Sequence, residues 1–538
     1  MKILNSNRAT MRKCFLLFFL LFSFCDGFAQ PTLSLDWQDK RPNSIGRLIK
    51  HDSQRNIITC GNIHTTHYNL LLIKQNEAGT QLWSQTYIDG AGGNMKALDM
   101  LLDSADNIYI AGIAHEGIFS DDTEGFIAKY NSLGNLQWIR FYGWQDSLSG
   151  GFNKLKMFNN QYLYITGSFD YLGGFGSYKA ILVKYDLSGN LIWDFKESLQ
   201  YSKMGVSNEV DKNGNIYLIG YTDCCPQFAR AFAAKFDSLG NRKWETVLID
   251  TVYVEGFART SAIDDSANIY VGFDASVIGF ATRYDAGFAK LDSSGNLKWV
   301  TAYDNNQSVH TDELVSGVRF DKSYNSYVYG YFSSNLPGAY GLCYIAKYNN
   351  TGILSWVHNT DSFGLPYGFG ISGCYFLNDS NLIIAGQGFV VSSLNISGTI
   401  NWTQILSAAS YYCSSEDFFD STIVFTGYSE PNTSTPDSLV ICKIKIDFIS
   451  GVTSNIKNNP ESSLVFPNPF NDRIFISKST TTLHKLNIKI YNSLGEQVYD
   501  NRALQSFSEL NTSMFAKGIY LMEIDDGINL SRRKIIKQ

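Results

Sequence analysis

Short runs of alternating apolar and polar residues recur through most of this chain, and a turn signal bounds each run. Alternation with a period of two is the spacing at which β-strand side chains return to the same face. The clearest turn signal is [Asn/Asp]-x-x-Gly, as in Asn131–Gly134. Its Asn or Asp side chain accepts a hydrogen bond from the backbone two residues on, and its Gly adopts positive φ without a steric penalty. The pattern therefore predicts antiparallel strand pairs joined by tight turns.

In seven copies of this turn a Trp follows the Gly by four residues. Because the Trp always occupies the same register, all seven side chains should point to the same face of their sheets. A buried Trp removes about 150–250 Å² from solvent, so we expect these residues to pack in the core and not to form a cofactor site. They are Trp83, Trp138, Trp193, Trp244, Trp299, Trp356 and Trp402.

A second hairpin precedes each of these turns, and its clearest copy is "DSADNIYIAG", Asp103–Gly112. Its turns resemble calcium loops in their Asp and Asn content but lack the spacing of acids and the closing Glu of an EF-hand, so we expect turn formation alone. Repeats of roughly 50 residues with four strands each indicate the blades of a propeller. The eight copies of this hairpin end at Gly61, Gly112, Gly167, Gly220, Gly272, Gly330, Gly386 and Gly427.

The repeat reads D-x-x-G-N-x-Y-x-x-G and then K-Y-D-x-x-G-N-x-x-W, which resembles the blades of secreted bacterial β-propeller-repeat proteins. The resemblance extends from about Leu33 to Gly451 and implies an all-β propeller. The eighth unit ends at its third strand, Ser438–Asp447, whereas Trp37 lies in a strand-like segment with no hairpin before it. We predict that Leu33–Asp39 pairs with that strand and completes an eight-bladed propeller, since a closed ring leaves no open edge. A seven-bladed ring with one unit outside it is the alternative.

The first 29 residues have the organisation of a secretory signal peptide. Basic residues precede the apolar run Cys14–Phe24, which is too short to span a bilayer. Small residues, Gly27 and Ala29, precede the predicted cleavage before Gln30. We therefore predict an exported protein without a transmembrane segment after removal of the signal.

Beyond the propeller, 30–450, a polar linker over 451–461 leads to a C-terminal domain at 462–538. Its short alternating strands indicate a small Ig-like β-sandwich. The Pro-Asn-Pro segment, the hairpin "IYNSLGEQV", the segment "AKGIYLMEI" and the terminal "KIIKQ" together resemble the type A sorting domain of type IX secretion. The resemblance implies that type IX secretion machinery delivers the protein to the outer surface of a Gram-negative bacterium or releases it. Its residues are Pro467, Asn468, Pro469, Gly495, Gly518, Tyr520, Lys534 and Lys537.

Composition and motifs limit the classes of ligand and cofactor that the protein is expected to bind. The net charge is −6, only 17% of residues are charged, and no basic stripe is visible, which argues against nucleic-acid binding. Two of the nine Cys leave with the signal, and a protein of this size does not depend on a disulfide framework. His64 and His67 lack a third ligand nearby, and phosphate-binding and Ser-elbow motifs are missing. We therefore predict neither a cofactor nor a metal site.

The strand order places the regular hairpin turns on one face of the propeller and the variable connections on the other. Because binding residues concentrate in variable loops on a rigid scaffold, we expect a ligand site on the second face, near the central channel. Trp144, outside the repeated register, could stack on a ligand; its alternative role is to cap a blade. Carboxylates on neighbouring blades could act as acid and base, as in glycoside hydrolysis; the alternative is solvated loop charge. The candidate residues are Trp144, Tyr253, Glu255, Asp312 and Glu313.

These observations favour an exported binding platform for a glycan or protein ligand whose identity the sequence does not give. One alternative is a secreted polysaccharide hydrolase or lyase with carboxylates at the channel mouth. The other is a purely structural surface protein. We expect a binding role rather than catalysis, because no catalytic motif accompanies the repeats.

Overall fold

The computed structural model of the protein describes most of the propeller and much of the C-terminal domain. The predicted signal peptide and linker lie outside the described residues. The chain divides into two compact units, Phe28–Ser450 and a second unit whose described residues fall within Gly451–Gln538. The described residues are 32–65, 67–89, 93–115, 122–143, 149–170, 178–198, 202–222, 229–248, 253–277, 284–304, 311–334, 342–359, 371–386, 390–405, 411–419, 422–429, 438–447, 464–466, 473–477, 486–492, 495–504, 507–525 and 530–537.

Eight four-stranded antiparallel sheets, blades 1 to 8, make up the first unit. An N-terminal strand, which belongs to blade 8, precedes blade 1. In chain order the strands of blades 1 to 4 and the strand before them are β1 (Thr32–Pro42); β2 (Ser44–His51), β3 (Ile57–His64), β4 (Tyr68–Gln75), β5 (Gln81–Tyr87); β6 (Met95–Leu102), β7 (Ile108–His115), β8 (Thr123–Tyr130), β9 (Leu136–Tyr142); β10 (Ser149–Phe158), β11 (Tyr162–Asp170), β12 (Tyr178–Asp186), β13 (Leu191–Lys196); β14 (Lys203–Val210), β15 (Ile216–Thr222), β16 (Arg230–Phe236) and β17 (Arg242–Val247).

Blades 5 to 7 repeat this order, and blade 8 takes three strands from the end of the unit. These strands are β18 (Tyr253–Ile263), β19 (Ile269–Val277), β20 (Tyr284–Leu291), β21 (Leu297–Tyr303); β22 (Thr311–Phe320), β23 (Ser326–Ser334), β24 (Leu342–Tyr348), β25 (Leu354–Asn359); β26 (Ile371–Phe376), β27 (Asn381–Gly386), β28 (Val390–Asn395), β29 (Ile400–Ile405); β30 (Tyr411–Phe419), β31 (Thr422–Ser429) and β32 (Ser438–Asp447).

Blade 8 combines the two ends of the propeller. Its strand order is β1-β32-β31-β30, and β1 pairs antiparallel with β32 from Thr32↔Asp447 to Pro42↔Ser438. The predicted pairing of the N-terminal strand with Ser438–Asp447 is confirmed, and eight sheets support the eight-bladed count over the seven-bladed alternative. Strands β30 and β31 in turn pack against β2, so blade 8 contacts blade 1.

The first strand of each blade is innermost, because first strands of adjacent blades contact one another around the ring. Each of these strands carries a register shift at an equivalent position, for example between Ala97 and Asp99 in β6. Close to this bulge, the backbone of the first strand approaches the repeat Gly of the second strand. A Cβ on Gly112 would overlap the carbonyl oxygen of Lys96, so only Gly fits. The same overlap with a first-strand carbonyl would occur at Gly61, Gly167, Gly220 and Gly330.

The repeat Trp residues lie on outermost strands, and those whose side chains the structure describes connect one blade to the next. Trp83 of blade 1 is half-buried, its ring covers Gly134 in the turn of blade 2, and its Nε1 donates to the Ser132 carbonyl at 3.3 Å. The turn Gly has a φ of 83°, as the turn motif predicted. The described Trp rings pack against the hydrophobic core as expected, but they do so from its edge, where they also cover the neighbouring blade. The corresponding Trp–Gly pairs are Trp37–Gly79, Trp138–Gly189, Trp193–Gly240, Trp244–Gly295, Trp299–Gly352 and Trp356–Gly398.

The Lys of the third strand reinforces this contact. Lys74 Nζ donates to the same Ser132 carbonyl at 3.2 Å and pairs with Asp52 at 2.8 Å. Trp37 and Lys443 both donate to the Glu77 carbonyl, at 3.0 and 2.9 Å. The joint between blades 8 and 1 is thus built like an internal joint, although its donors come from opposite ends of the propeller.

The second unit consists of two sheets that share one core. A three-stranded sheet has the order β33-β34-β37 and a four-stranded sheet the order β36-β35-β38-β39. Ile474 and Leu510 of the first sheet pack in one cluster with Ile488 and Met522 of the second, as expected for a small β-sandwich. The strands are β33 (Leu464–Phe466), β34 (Arg473–Ser477), β35 (Leu486–Tyr491), β36 (Gln497–Leu504), β37 (Phe507–Asn511), β38 (Gly518–Asp525) and β39 (Leu530–Lys537).

We predict that Trp37→Ala and Trp83→Ala destabilise the propeller to a similar extent. Each removes a half-buried indole and its hydrogen bond to the turn of the next blade, so each should lower the free energy of unfolding by about 2 kcal/mol. Chemical denaturation followed by Trp fluorescence measures both. If Trp37→Ala unfolds like the wild type while Trp83→Ala does not, the contact between blades 8 and 1 does not support the ring.

Candidate functional site

Acidic side chains on one face of the propeller stabilise its hairpin turns. We call the face with the first-to-second and third-to-fourth strand turns the turn face, and the opposite one the loop face. On the turn face, Asp103 accepts hydrogen bonds from the backbone N–H groups of Ala105 and Asn107 and from the Asn107 amide. Such carboxylates are engaged within their own turns, in agreement with the structural role predicted for them.

The structure describes only some of the predicted site residues. Trp144 lies outside the described residues, and Tyr253 and Glu255 are described only as backbone at the start of β18. Asp312 and Glu313 lie in strand β22, on the loop-face half of the channel wall. The pairing of Glu255 with either of them remains a prediction.

Asp312 and Glu313 are not solvated loop charges, so that alternative is wrong for both. Asp312 is half-buried, and its Oδ1 accepts the backbone N–H of Tyr284 in the neighbouring blade at 3.0 Å. Glu313 is completely buried. Both carboxylates therefore belong to the packed interface between blades 5 and 6.

Glu313 lies within an acidic cluster. One carboxylate oxygen each from Asp285, Asp304 and Glu313 lies within 4.8 Å of the others, an arrangement whose oxygens could coordinate a hard divalent cation. Burial, with Glu313 and Asp304 nearby, raises the pKa of Tyr303 to about 12. The sequence did not reveal this cluster, because its members come from β20, from the residue after β21 and from β22, and no repeat position marks them.

An ion pair between the exposed Arg259 and the buried Asp274 lies on the same side of the channel mouth. Arg259, at the bulge of β18, donates through Nε to Asp274 Oδ2 at 2.5 Å, and the Val315 backbone N–H donates to Asp274 Oδ1 at 3.2 Å. Burial raises the pKa of Asp274 to about 6, although Arg259 opposes this shift. The only sequence signal for this site is a single Asp in the apolar run "YVGFDAS".

Blade 1 has an equivalent bulge arginine, whose hydrogen-bond acceptor is a neutral amide. Arg47 occupies the bulge of β2 and donates through Nε to Asn62 Oδ1 at 2.6 Å. Asn62 lies opposite Ile45, and Asp274 lies opposite Phe257. The two pairs occupy equivalent positions next to the bulge of the first strand. The arginine of blade 5 therefore has a carboxylate partner, whereas the arginine of blade 1 has an amide.

A second cation lies beside Arg47. Lys96, in the first strand of blade 2, is exposed, and within the described part of the chain neither residue forms an ion pair with a carboxylate. Burial lowers the pKa of both side chains, and the charge of Arg47 lowers that of Lys96 further. The cationic side, blades 1 and 2, and the acidic side, blades 5 and 6, are four blades apart in a ring of eight and thus face each other.

Channel lysines nearer the turn face have carboxylate partners on adjacent blades. Lys50 lies 3.6 Å from Asp417, and Lys154 lies 3.1 Å from Asp99. A third pair, Lys156–Glu209, is separated by 2.8 Å. Arg47 and Lys96 differ from these lysines in having no such partner.

In the C-terminal unit, several predicted sorting residues occupy defined backbone positions. Gly495 and Gly518 have φ values of 79° and 152°, which favour Gly. The Tyr520 hydroxyl donates to the Ala516 carbonyl at 2.6 Å, and Lys537 is buried. The Pro-Asn-Pro segment Pro467–Pro469 and the side chain of Lys534 lie outside what the structure describes.

Comparison with known proteins identifies the C-terminal unit. Residues 464–538 match the family described as "Secretion system C-terminal sorting domain". The chain therefore carries a type IX sorting domain, as the resemblance implied, and is secreted to the surface of a Gram-negative bacterium or beyond it. No helix in the described ranges is long and apolar enough to cross a membrane.

Solved structures similar to the first unit are propellers or propeller-containing enzymes of low identity. The C-terminal WD40 domain of Sif2 has a TM-score of 0.48 at 10% identity and covers 77% of this chain and 99% of its own. BamB from Moraxella catarrhalis has a TM-score of 0.43 at 12% identity, with 76% and 97% covered. Polysaccharide lyase Uly1 has a TM-score of 0.41 at 11% identity, with 77% and 100% covered. No curated protein sequence matches the chain.

We predict that Asp274 makes stability depend on pH. Its carboxyl keeps its proton up to about pH 6 in the folded protein, whereas the ordinary value is 3.8. Folding therefore takes up a proton between these values, and the free energy of unfolding should fall as pH rises through this window, by up to about 3 kcal/mol.

Denaturation at several pH values, compared between wild type and Asp274→Asn, isolates this contribution. The difference between the two should change between pH 4 and pH 6.5. Asp379→Asn, which breaks an exposed pair with Lys322, is the control and should leave the profile unchanged. A constant difference between wild type and Asp274→Asn would contradict the prediction.

Proposed function

We propose that the propeller is an extracellular binding platform for a glycan or protein ligand, with its site at the loop-face mouth of the central channel. The observation that carries this proposal is the exposure of two aromatic side chains beside the bulge arginines. Tyr68 is 39% exposed and Tyr331 is 41% exposed. Tyr68 is close enough to Arg47, and Tyr331 to Arg259, for their hydroxyls to interact electrostatically with these arginines.

Exposed Tyr and Arg side chains together are typical of binding surfaces, because a flat ring and a guanidinium contribute contact area and directed hydrogen bonds. The turn face is less suitable. Its Trp and Lys contacts join the blades, and a change there would weaken the ring. The Trp–Gly joints lie away from the connections of the loop face, so residues of these connections can be adapted to a ligand without weakening those joints.

Trp144, Tyr253 and Glu255 fit the same proposal. In the sequence, Trp144 belongs to the connection between β9 and β10, and Tyr253 and Glu255 begin the first strand of blade 5. All three positions are at the loop-face ends of strands. We propose Trp144 as a stacking residue, and Tyr253 with Glu255 as polar contacts to the ligand.

A glycan array probed with the purified full chain, together with pull-down of surface proteins from the native host, tests the binding role. We expect a discrete set of ligands, and weaker binding by Tyr68→Ala and Trp144→Ala without a change in thermal midpoint. Leu133→Ala, an exposed apolar residue in a turn of the opposite face, is the matched control. The absence of any ligand, or equal loss in the control, would favour the purely structural alternative.

The second candidate is a polysaccharide hydrolase or lyase. The observation in its favour is Asp274, a buried carboxyl with a pKa near 6 beside Asp312, because catalytic acids and bases are often tuned towards neutral pH. Release of reducing ends or unsaturated products from the array hits measures this activity. Catalysis abolished by Asp274→Asn or Glu255→Gln would replace the binding proposal.

We predict that removal of 462–538 stops export beyond the outer membrane without unfolding the propeller. All eight blades lie within Phe28–Ser450, so the truncated protein should accumulate, folded, in the periplasm of the native host. Cell fractionation and protease accessibility measure its location. Surface display of the truncated protein at the wild-type level would show that these residues are not needed for export.

A further inference from the structure

We propose that Arg47 and Lys96 form a site for the carboxylate or sulfate group of an acidic polysaccharide, with Tyr68 as the surface for its sugar ring. The inference rests on the proposed binding function and specifies the charge of the ligand. It starts from the comparison of two equivalent positions in blades 1 and 5.

At both positions an arginine occupies the bulge of the innermost strand and donates through Nε to the side chain of the second strand. In blade 5 that acceptor is Asp274, which supplies a full counter-charge. In blade 1 it is Asn62, which orients the guanidinium at 2.6 Å but leaves its charge in place. The two sites share the bulge position and the Nε hydrogen bond but differ in the charge of the acceptor and in the exposure of the arginine, since Arg259 is exposed and Arg47 is half-buried.

Asn62 is held firmly in this orientation. It is buried, and its Nδ2 donates to the carbonyl oxygens of Asn69, at 3.3 Å, and Met95, at 2.5 Å. Because the amide nitrogen is bound on one side, the amide oxygen must face Arg47. Asn62 binds only the Nε of Arg47, so a carboxylate or sulfate at the channel could accept two of the other guanidinium N–H groups.

Lys96 supplies the second charge. Lys96 follows Met95, whose carbonyl oxygen accepts a hydrogen bond from Asn62. The first strand of blade 2 is therefore joined directly to the arginine site. Two like charges in a partly dehydrated channel repel each other, and an anion between them removes that cost. This local excess of positive charge occurs in a chain whose net charge is −6.

Tyr68 makes the site suitable for a sugar. Its side chain is 39% exposed, its ring centroid lies 4.9 Å from that of His64, and its backbone N–H donates to Asn94 Oδ1 at 2.8 Å. An aromatic face near Arg47 matches an acidic sugar, whose ring can stack while its carboxylate or sulfate contacts the charges.

Affinity electrophoresis and titration calorimetry with the full chain test the site. The probes are polygalacturonate, dextran sulfate, neutral dextran and poly-glutamate. We expect binding to polygalacturonate or dextran sulfate that weakens as NaCl increases, and none to neutral dextran. The first two probes distinguish a carboxylate from a sulfate ligand.

Lys96→Gln should reduce the affinity for the bound polymer about tenfold, the effect of losing one charge-assisted hydrogen bond. Because Lys96 is exposed, the thermal midpoint of the Lys96→Gln variant should match that of the wild type. Arg47→Gln should reduce the affinity similarly. Lys50→Gln, in the same strand as Arg47 but paired with Asp417, is the control and should bind like the wild type.

Unchanged affinity in Lys96→Gln, an equal loss in Lys50→Gln, or equally tight binding of poly-glutamate would overturn the proposal. Failure of both acidic polysaccharides to bind would also overturn it. If the protein then still binds a neutral glycan or a protein through Tyr68, the binding platform stands and only the acidic ligand is wrong. If no ligand of any kind binds, the proposed function fails as well.

Discussion

The contact on which the propeller depends is the one between an outer-strand Trp and the turn of the next blade. In each joint of this kind an indole ring covers a turn Gly, and its N–H donates to the backbone carbonyl two residues before that Gly. At several joints a Lys donates to the same carbonyl, as Lys129 and Trp138 both do to Leu187. Sheets that pack only through apolar side chains could slide, whereas two directed hydrogen bonds to one backbone atom fix the position of one blade on the next.

This contact explains why the repeat has its particular residues. The Gly must have positive φ for the turn and must also lack a Cβ, since the Trp ring occupies that space. The Lys forms an ion pair with the Asp in the first turn of its own blade, as Lys235 does with Asp211. It also lies over the ring of a Tyr in the second strand, as Lys235 does over Tyr217 at 5.0 Å. The Asp, Tyr, Lys, Gly and Trp positions of the motif thus serve one structure, and none of them is available for a ligand.

Much of the fold could be predicted from the sequence because turn chemistry and strand periodicity are local. The [Asn/Asp]-x-x-Gly turns, the eight blades and the pairing of Leu33–Asp39 with β32 followed from spacing and from one missing strand. The role of the Trp residues did not follow, because a period of two gives the register of a side chain but not the blade that it contacts. The channel mouth could not be predicted either, since Arg47 and Asn62, or Asp285 and Glu313, become neighbours only once the sheets and their bulges are arranged in space.

The difference between blades 1 and 5 has a physical consequence for stability. A partly buried arginine without a counter-charge costs free energy that a carboxylate partner would reduce, and blade 5 shows that this backbone accommodates such a partner in Asp274. Blade 1 instead holds Asn62, whose amide also binds blade 2 through Met95, so one residue both joins the blades and leaves the arginine charged. The fold itself does not require an uncompensated cation there. Residues that lower stability without serving the fold are concentrated at functional sites, which is the physical reason to look for the ligand at blades 1 and 2.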